Sequence, residues 1–307
     1  MSEIILHNYP QSPVAERARL ALGIKGLSWR WVEIPRLPPK PDLTALTGGY
    51  RRTPVMQIGA DIYCDSHCVM RELERRFPEP TFLPAGVKGT PWGLGQWADG
   101  KLFSLIVRLI LISGKDTMPV EWLKDRASLY FGPDFDIDEA VAELPHTVAQ
   151  LRGQMQWVDE RLAGRDFMLG ETPGLPDLFI YPMVWVTRAR WDQAAEFFGQ
   201  FPAVEAWEKR MANIGHGQHS ELDSGEAISI ARETAIETGE SADPRDPQGL
   251  TPGMKVSVQP EGSDADPAVE GSVRAANAQT IAITRSDERA GEVCVHFPRV
   301  GYRVTPL

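Results

Sequence analysis

The sequence has 307 residues, 42% hydrophobic and 24% charged, an ordinary globular composition long enough for two or three domains. Its net charge of −10 argues against a nucleic-acid partner, which calls for a basic face. The most apolar run, residues 105–112, contains Arg108 and falls far short of the roughly 20 apolar residues of a membrane span.

The first 84 residues alternate element types. Ile4, Ile5 and Leu6 read as a strand, and the apolar spacing of Val14, Ala18, Ala21 and Leu22 predicts a helix over 14–23. Residues 29–34 alternate as a second strand, and four prolines between Pro35 and Pro41 make a stiff connection. Residues 53–58 and 62–64, separated by Gly59-Ala60-Asp61, predict an antiparallel hairpin. Asp65-Ser66 then opens a helix whose stripe is Val69, Met70, Leu73 and Phe77, closed by Pro78. The order β-α-β then β-β-α predicts a parallel first half and a hairpin second half.

Residues 90–213 read as helices. A long apolar one spans 94–113, another 116–127, with a loop at 130–137 around Gly132-Pro133-Asp134. Leu144, Val148, Leu151, Met155, Val158 and Leu162 step by four, three and four along one helix face. Gly174-Leu175-Pro176-Asp177 starts a helix over 178–187 that is apolar almost all round, and 201–211 forms the last of this block. Residues 214–250 read as a linker with a short helix at 226–236. Five short strands in 251–307 predict a small all-β, barrel-like domain. The charge is uneven: from Ser220 onward there are 15 acidic and 8 basic residues. Three cysteines, Cys64, Cys68 and Cys294, imply no disulfide framework and suit a reducing compartment. With no basic-then-apolar leader at the N-terminus, a cytoplasmic location is expected.

By position alone, Ser12 before Pro13 is a helix N-cap, and Asp65-Ser66 is another. Taken together, three segments resemble the cytosolic glutathione S-transferases of serine type. Ser12, five residues before Arg17, looks like the active-site helix start. Thr53-Pro54-Val55-Met56 followed by Asp65-Ser66 looks like the cis-proline strand and the acid–serine pair. Gly170 to Asp177 looks like the buried capping segment of the helical domain. Two departures stand out: Gly174 where Ser or Thr is usual, so that Asp177 must bond the backbone by itself, and Asp65 where Glu is more frequent.

The resemblance implies an α+β multidomain protein: a thioredoxin-like glutathione-binding domain at 1–84, an all-helical domain at 90–213, the linker at 214–250 and the additional β domain at 251–307. It implies glutathione as co-substrate, with no metal, and thiolate attack on an apolar electrophile. Homodimerisation is expected, with neither a nucleic-acid nor a membrane partner. Ser12 is the expected catalytic residue, since a hydroxyl among exposed N–H groups at a helix start stabilises a sulfur anion. Thr53, held by Pro54, would pair its backbone with the cysteinyl part. Ser66 would bind the γ-glutamyl carboxylate, Asp65 the ammonium, and Arg52 (or Arg51) the glycyl carboxylate. The alternative is a non-catalytic binding or assembly protein whose β domain recognises a partner.

Other residues read more plainly. Tyr9 lies eight before Arg17, where Ser12 lies five, so it reads as a packed aromatic. Cys64 and Cys68 are four apart, not the spacing of a redox Cys-x-x-Cys, and read as packed thiols. His216 and His219 read as solvated loop histidines.

Overall fold

The computed structural model describes residues 3–84, 86–262 and 266–307. The chain opens with β1 (Ile4–Asn8), α1 (Pro13–Ile24), β2 (Ser28–Glu33), α2 (Pro41–Thr47), β3 (Val55–Ile58), β4 (Asp61–Cys64) and α3 (Ser66–Arg76). Helices follow: α4 (Thr90–Trp97), a π-helical segment (Ala98–Leu102), α5 (Phe103–Ser113), α6 (Val120–Phe131), α7 (Ile137–Ala142), α8 (Leu144–Leu162), α9 (Leu175–Arg190), α10 (Ala194–Phe198) and α11 (Pro202–Ala212). The remainder is β5 (Gln218–Glu221), α12 (Ser224–Glu233), β6 (Ser241–Ala242), β7 (Lys255–Pro260), β8 (Val269–Ala276), β9 (Thr280–Asp287), β10 (Gly291–Pro298) and β11 (Tyr302–Pro306). No helix of the described residues is long and apolar enough to cross a membrane.

The chain forms two compact units, one of residues up to Ala18, Gly26–Arg76 and Gly217–Leu307, the other of Arg19–Lys25 and Phe77–His216. In the first, β1 pairs parallel with β2 and antiparallel with β3, and β3 pairs antiparallel with β4. The helical crossover and the tight hairpin dictate these directions. The five expected C-terminal strands are present in the order β11-β7-β8-β9-β10, but they do not stand apart as a domain. Strand β10 pairs parallel with β4 through Cys294↔Asp61, Val295↔Ile62 and His296↔Tyr63. One sheet therefore runs from β11 to β5. Its shared core draws on both ends of the sequence, Ile5, Val55 and Ile62 packing in one cluster with Val258, Ile283, Val295 and Phe297.

The stretch 214–250 also differs from a bare linker. Its β5 adds to the open edge of β2 in parallel, and His219 stacks on Trp29 at 4.8 Å between centroids. Gln57 of β3 donates to the Ala227 carbonyl of α12 at 2.8 Å, and Ser224 bonds Asp42 of α2. Polar residues dominate β5, so its pairing is backbone-driven and leaves no apolar alternation to read. Similarly α2 begins at Pro41, in the proline-rich connection, because proline fits the first helical position.

The seam between β4 and β10 is polar. Asp61, fully buried, accepts from the Thr238 hydroxyl (2.6 Å), the Glu237 N–H (2.7 Å) and His296 Nε2 (2.8 Å). Burial pushes this carboxylate up, but the His296 contact and the other donors outweigh it and hold it below its ordinary value. Nearby, fully buried His7 donates to Gln57 Oε1 at 2.9 Å, since the Gln57 amide nitrogen is already committed to Gly59 and Ala227.

In the second unit, α9 is buried on nearly every side, from Leu175 to Thr187. Asp177 bonds the Gly174 N–H (2.9 Å), the Met168 N–H (2.9 Å) and Trp207 Nε1 (2.7 Å). A side chain at 174 would be tight: a Cβ there would lie 3.0 Å from the Leu169 side chain and 3.1 Å from the Phe82 carbonyl, so these neighbours would have to give by a few tenths of an ångström. With glycine as the cap, Asp177 bonds the cap N–H without a hydroxyl to answer it.

Two outcomes are expected. Asp177→Ala leaves three buried donors unpaired and should lower the unfolding free energy by at least about 3 kcal/mol in urea titration. Burial lowers His7 from 6.5 to about 4, so below pH 6.5 the unfolded chain takes up a proton that the fold refuses. Stability present above pH 6.5 should be lost as the pH falls to 4, by roughly 3 kcal/mol, and this loss should shrink in His7→Gln.

Candidate active site

The strand registers bring three chain segments to one end of the sheet. His7 of β1 faces Val55 of β3, and Val55 faces Cys64 of β4. The segments just beyond this row are the turn to Ser12, Thr53-Pro54, and Asp65-Ser66.

Ser12 is buried, and its Oγ accepts the Ala15 N–H at 3.1 Å, a capping bond at the start of α1. Its carbonyl accepts the Glu16 N–H, continuing the helix. As a hydroxyl it carries a donor as well as acceptor lone pairs, so the cap geometry is compatible with a hydrogen bond given to an anion. Tyr9 is half-buried and packs against the shared core, with Lys40 Nζ 5.9 Å from its ring centre.

The Thr53–Pro54 peptide bond is cis. Thr53 is buried, and its Oγ1 has no hydrogen-bond partner among the described residues. Asp65 adopts φ +75°, left-handed backbone that costs a non-glycine residue about 1 kcal/mol or more. The cost is offset at the helix start, where Asp65 Oδ1 accepts the His67 N–H at 2.8 Å. Ser66 is buried at the head of α3, and Arg17, itself fully buried, donates from Nη1 to Ser66 Oγ at 3.3 Å. This bond ties the helix that Ser12 opens to the helix that Ser66 opens.

Arg52 is engaged elsewhere. Its Nε and Nη2 donate to Asp266 Oδ2 at 2.9 and 2.5 Å, and these bonds raise the guanidinium further despite its burial. Tyr302 of β11 donates to Asp65 Oδ2 at 2.9 Å, and its hydroxyl lies 3.4 Å from that of Tyr50. Burial pushes both phenols well above their ordinary range, with Asp65 adding to the effect, so both stay protonated donors. Burial does the same to Cys64 and Cys68, which keeps them as inert packed thiols. Sequence reasoning missed Tyr302, Tyr50 and Asp266; two of them lie more than 200 residues from the segments they touch, with no motif to mark them. It also passed over Lys40, buried, whose Nζ donates to the Arg51 carbonyl at 2.9 Å.

A serine-headed helix beside a cis-proline strand and a second helix start, on a β-α-β/β-β-α sheet, defines the thioredoxin-like class of folds. Comparison narrows the class. The family description "Glutathione S-transferase, N-terminal domain" matches residues 6–81, and "Glutathione S-transferase, C-terminal domain" matches 138–210. The crystal structure of a GST-like protein from Pseudomonas syringae is 38% identical over the whole of both chains, with a TM-score of 0.80. The C-terminal strands are thus included in that match. A zeta-class glutathione S-transferase of Euphorbia esula is 26% identical over 192 residues, 61% of this chain and 77% of that protein. A maleylpyruvate isomerase of Ralstonia sp is 25% identical over 186 residues, 58% of this chain and 80% of that one. The chain belongs to the glutathione S-transferase family.

Because the Thr53 hydroxyl is buried and unpaired, Thr53→Val removes a desolvated polar atom at nearly constant volume. Its thermal midpoint should equal or slightly exceed that of the wild type by calorimetry, whereas most buried Thr→Val changes lower it.

Proposed function

We propose that the chain is a glutathione-dependent enzyme in which Ser12 stabilises the glutathione thiolate for attack on an electrophilic small molecule. The reading is supported above all by the Arg17–Ser66 bond, which links the two helix starts on either side of the cis-proline strand. In this reading the Thr53 main chain pairs with the cysteinyl residue. Ser66 and the first N–H groups of α3 take the γ-glutamyl carboxylate, and Asp65 takes the ammonium. Arg52 is left out, since its guanidinium already has a carboxylate partner.

The chemistry asked of Ser12 is modest. A hydrogen bond to sulfur plus the α1 dipole, worth about 0.3–1 kcal/mol for an exposed charge and more when partly buried, lowers a thiol pKa by about one unit or more. The thiolate then adds to the electrophile. The names of the relatives allow two outcomes, retention of the adduct in a transfer or release of the thiol in an isomerisation. These are distinguished by whether glutathione is consumed.

Ser12→Ala is expected to raise the pKa of bound glutathione by about one unit, read from thiolate absorbance against pH. It should reduce kcat at neutral pH about tenfold while glutathione still binds by calorimetry. Full activity in this variant would remove Ser12 from the role. Absence of binding heat with millimolar glutathione and the wild-type chain would favour a non-catalytic binding protein instead.

A further inference from the structure

The C-terminal strands supply groups at the corner formed by Asp65 and Arg52. Asp65 is gripped on both oxygens: Oδ1 by the His67 N–H at 2.8 Å and Oδ2 by the Tyr302 hydroxyl at 2.9 Å. A carboxylate has about four lone-pair sites, so one donor on each oxygen fixes its plane and leaves acceptor capacity on both. The left-handed backbone at Asp65 does not by itself orient the side chain. The His67 N–H and the phenol do so together, and the phenol is held in turn by packing on Phe297, 5.6 Å between ring centres.

Arg52 has its own partner: its Nε and Nη2 both donate to Asp266 Oδ2. Asp266 is 2% exposed, and its Oδ1 has no hydrogen-bond partner among the described residues. Each carboxylate of this corner thus has a named donor, and Asp65 keeps acceptor capacity for one more.

We propose that Tyr302 is a positioning residue for ligand recognition, its hydroxyl holding Asp65 in the orientation that accepts the α-ammonium of a γ-glutamyl ligand. The C-terminal strands are then part of the binding site, and they select for ligands bearing the free amino group. This inference rests on the glutathione reading of the site.

The test is a pair of calorimetric titrations with the full chain, using glutathione and its des-amino analogue, glutaryl-cysteinylglycine. Tyr302→Phe keeps the ring that packs on Phe297. It should raise the Kd for glutathione about tenfold and leave that for the des-amino analogue unchanged. In an Asp65→Asn background the same substitution should cost nothing further, because Tyr302 acts through Asp65. Equal loss for both ligands, or no loss for either, overturns the assignment of Tyr302. Failure of the wild-type chain to bind glutathione is a different result, which overturns the function proposed above and this inference with it.

Discussion

The structure depends on how strand β4 is completed. A β-hairpin strand with nothing on its outer side presents a row of unpaired N–H and C=O groups. Here β10 fills that row in parallel, and the buried Asp61 carboxylate sits at the junction, drawing donors from Glu237, Thr238 and His296. A parallel neighbour of this kind has to be delivered by a long connection, and residues between the two strands include Phe77–His216, most of the second unit. Once β10 is fixed there, β7, β8, β9 and β11 are fixed by antiparallel pairing.

The electrostatics of the candidate site follow from that pairing. The first half of the chain brings Ser12, the cis-proline strand and Asp65-Ser66 to one end of the sheet by register alone. Strand β11 then adds Tyr302 to Asp65, and the segment ahead of β8 adds Asp266 to Arg52. Asp65 and Arg52 each have a partner of their own from the C-terminal part of the chain. Both contacts are part-buried, so they are less screened than fully exposed pairs.

Much of this was legible in the sequence, for identifiable reasons. Apolar periodicity located the strands and most long helices, and the short hairpin spacing at Gly59-Ala60-Asp61 fixed the direction of β3 and β4. The expectation that Asp177 would bond the backbone alone follows from Gly174, and the structure adds that the space around that glycine is tight. What escaped was of two kinds. Elements such as β5 and α2 have polar or proline-rich sequences, and only their neighbours make them regular. The placement of 217–307 against the first sheet escaped because the partners are separated by a complete helical unit. Val295 facing Ile62 leaves no trace in local spacing, and neither does Tyr302 beside Asp65. The segments that resemble the glutathione-binding corners were visible because each is a local motif. The residues that modify them were not, because each contact is long-range.

The chain order of the first unit also has a consequence in time. Strands β1 to β4 leave the ribosome early, but both of their flanks, at β2 and β4, are covered only by β5 and β10. At about 5–20 residues per second, more than 220 further residues separate the emergence of β4 from that of β10, an interval on the order of ten seconds or more. The intervening helical unit is complete before then. Until β5 emerges the nascent N-terminal sheet presents two bare backbone edges, and until β10 emerges it still presents one, at β4, the period in which it is most open to aggregation or to a chaperone.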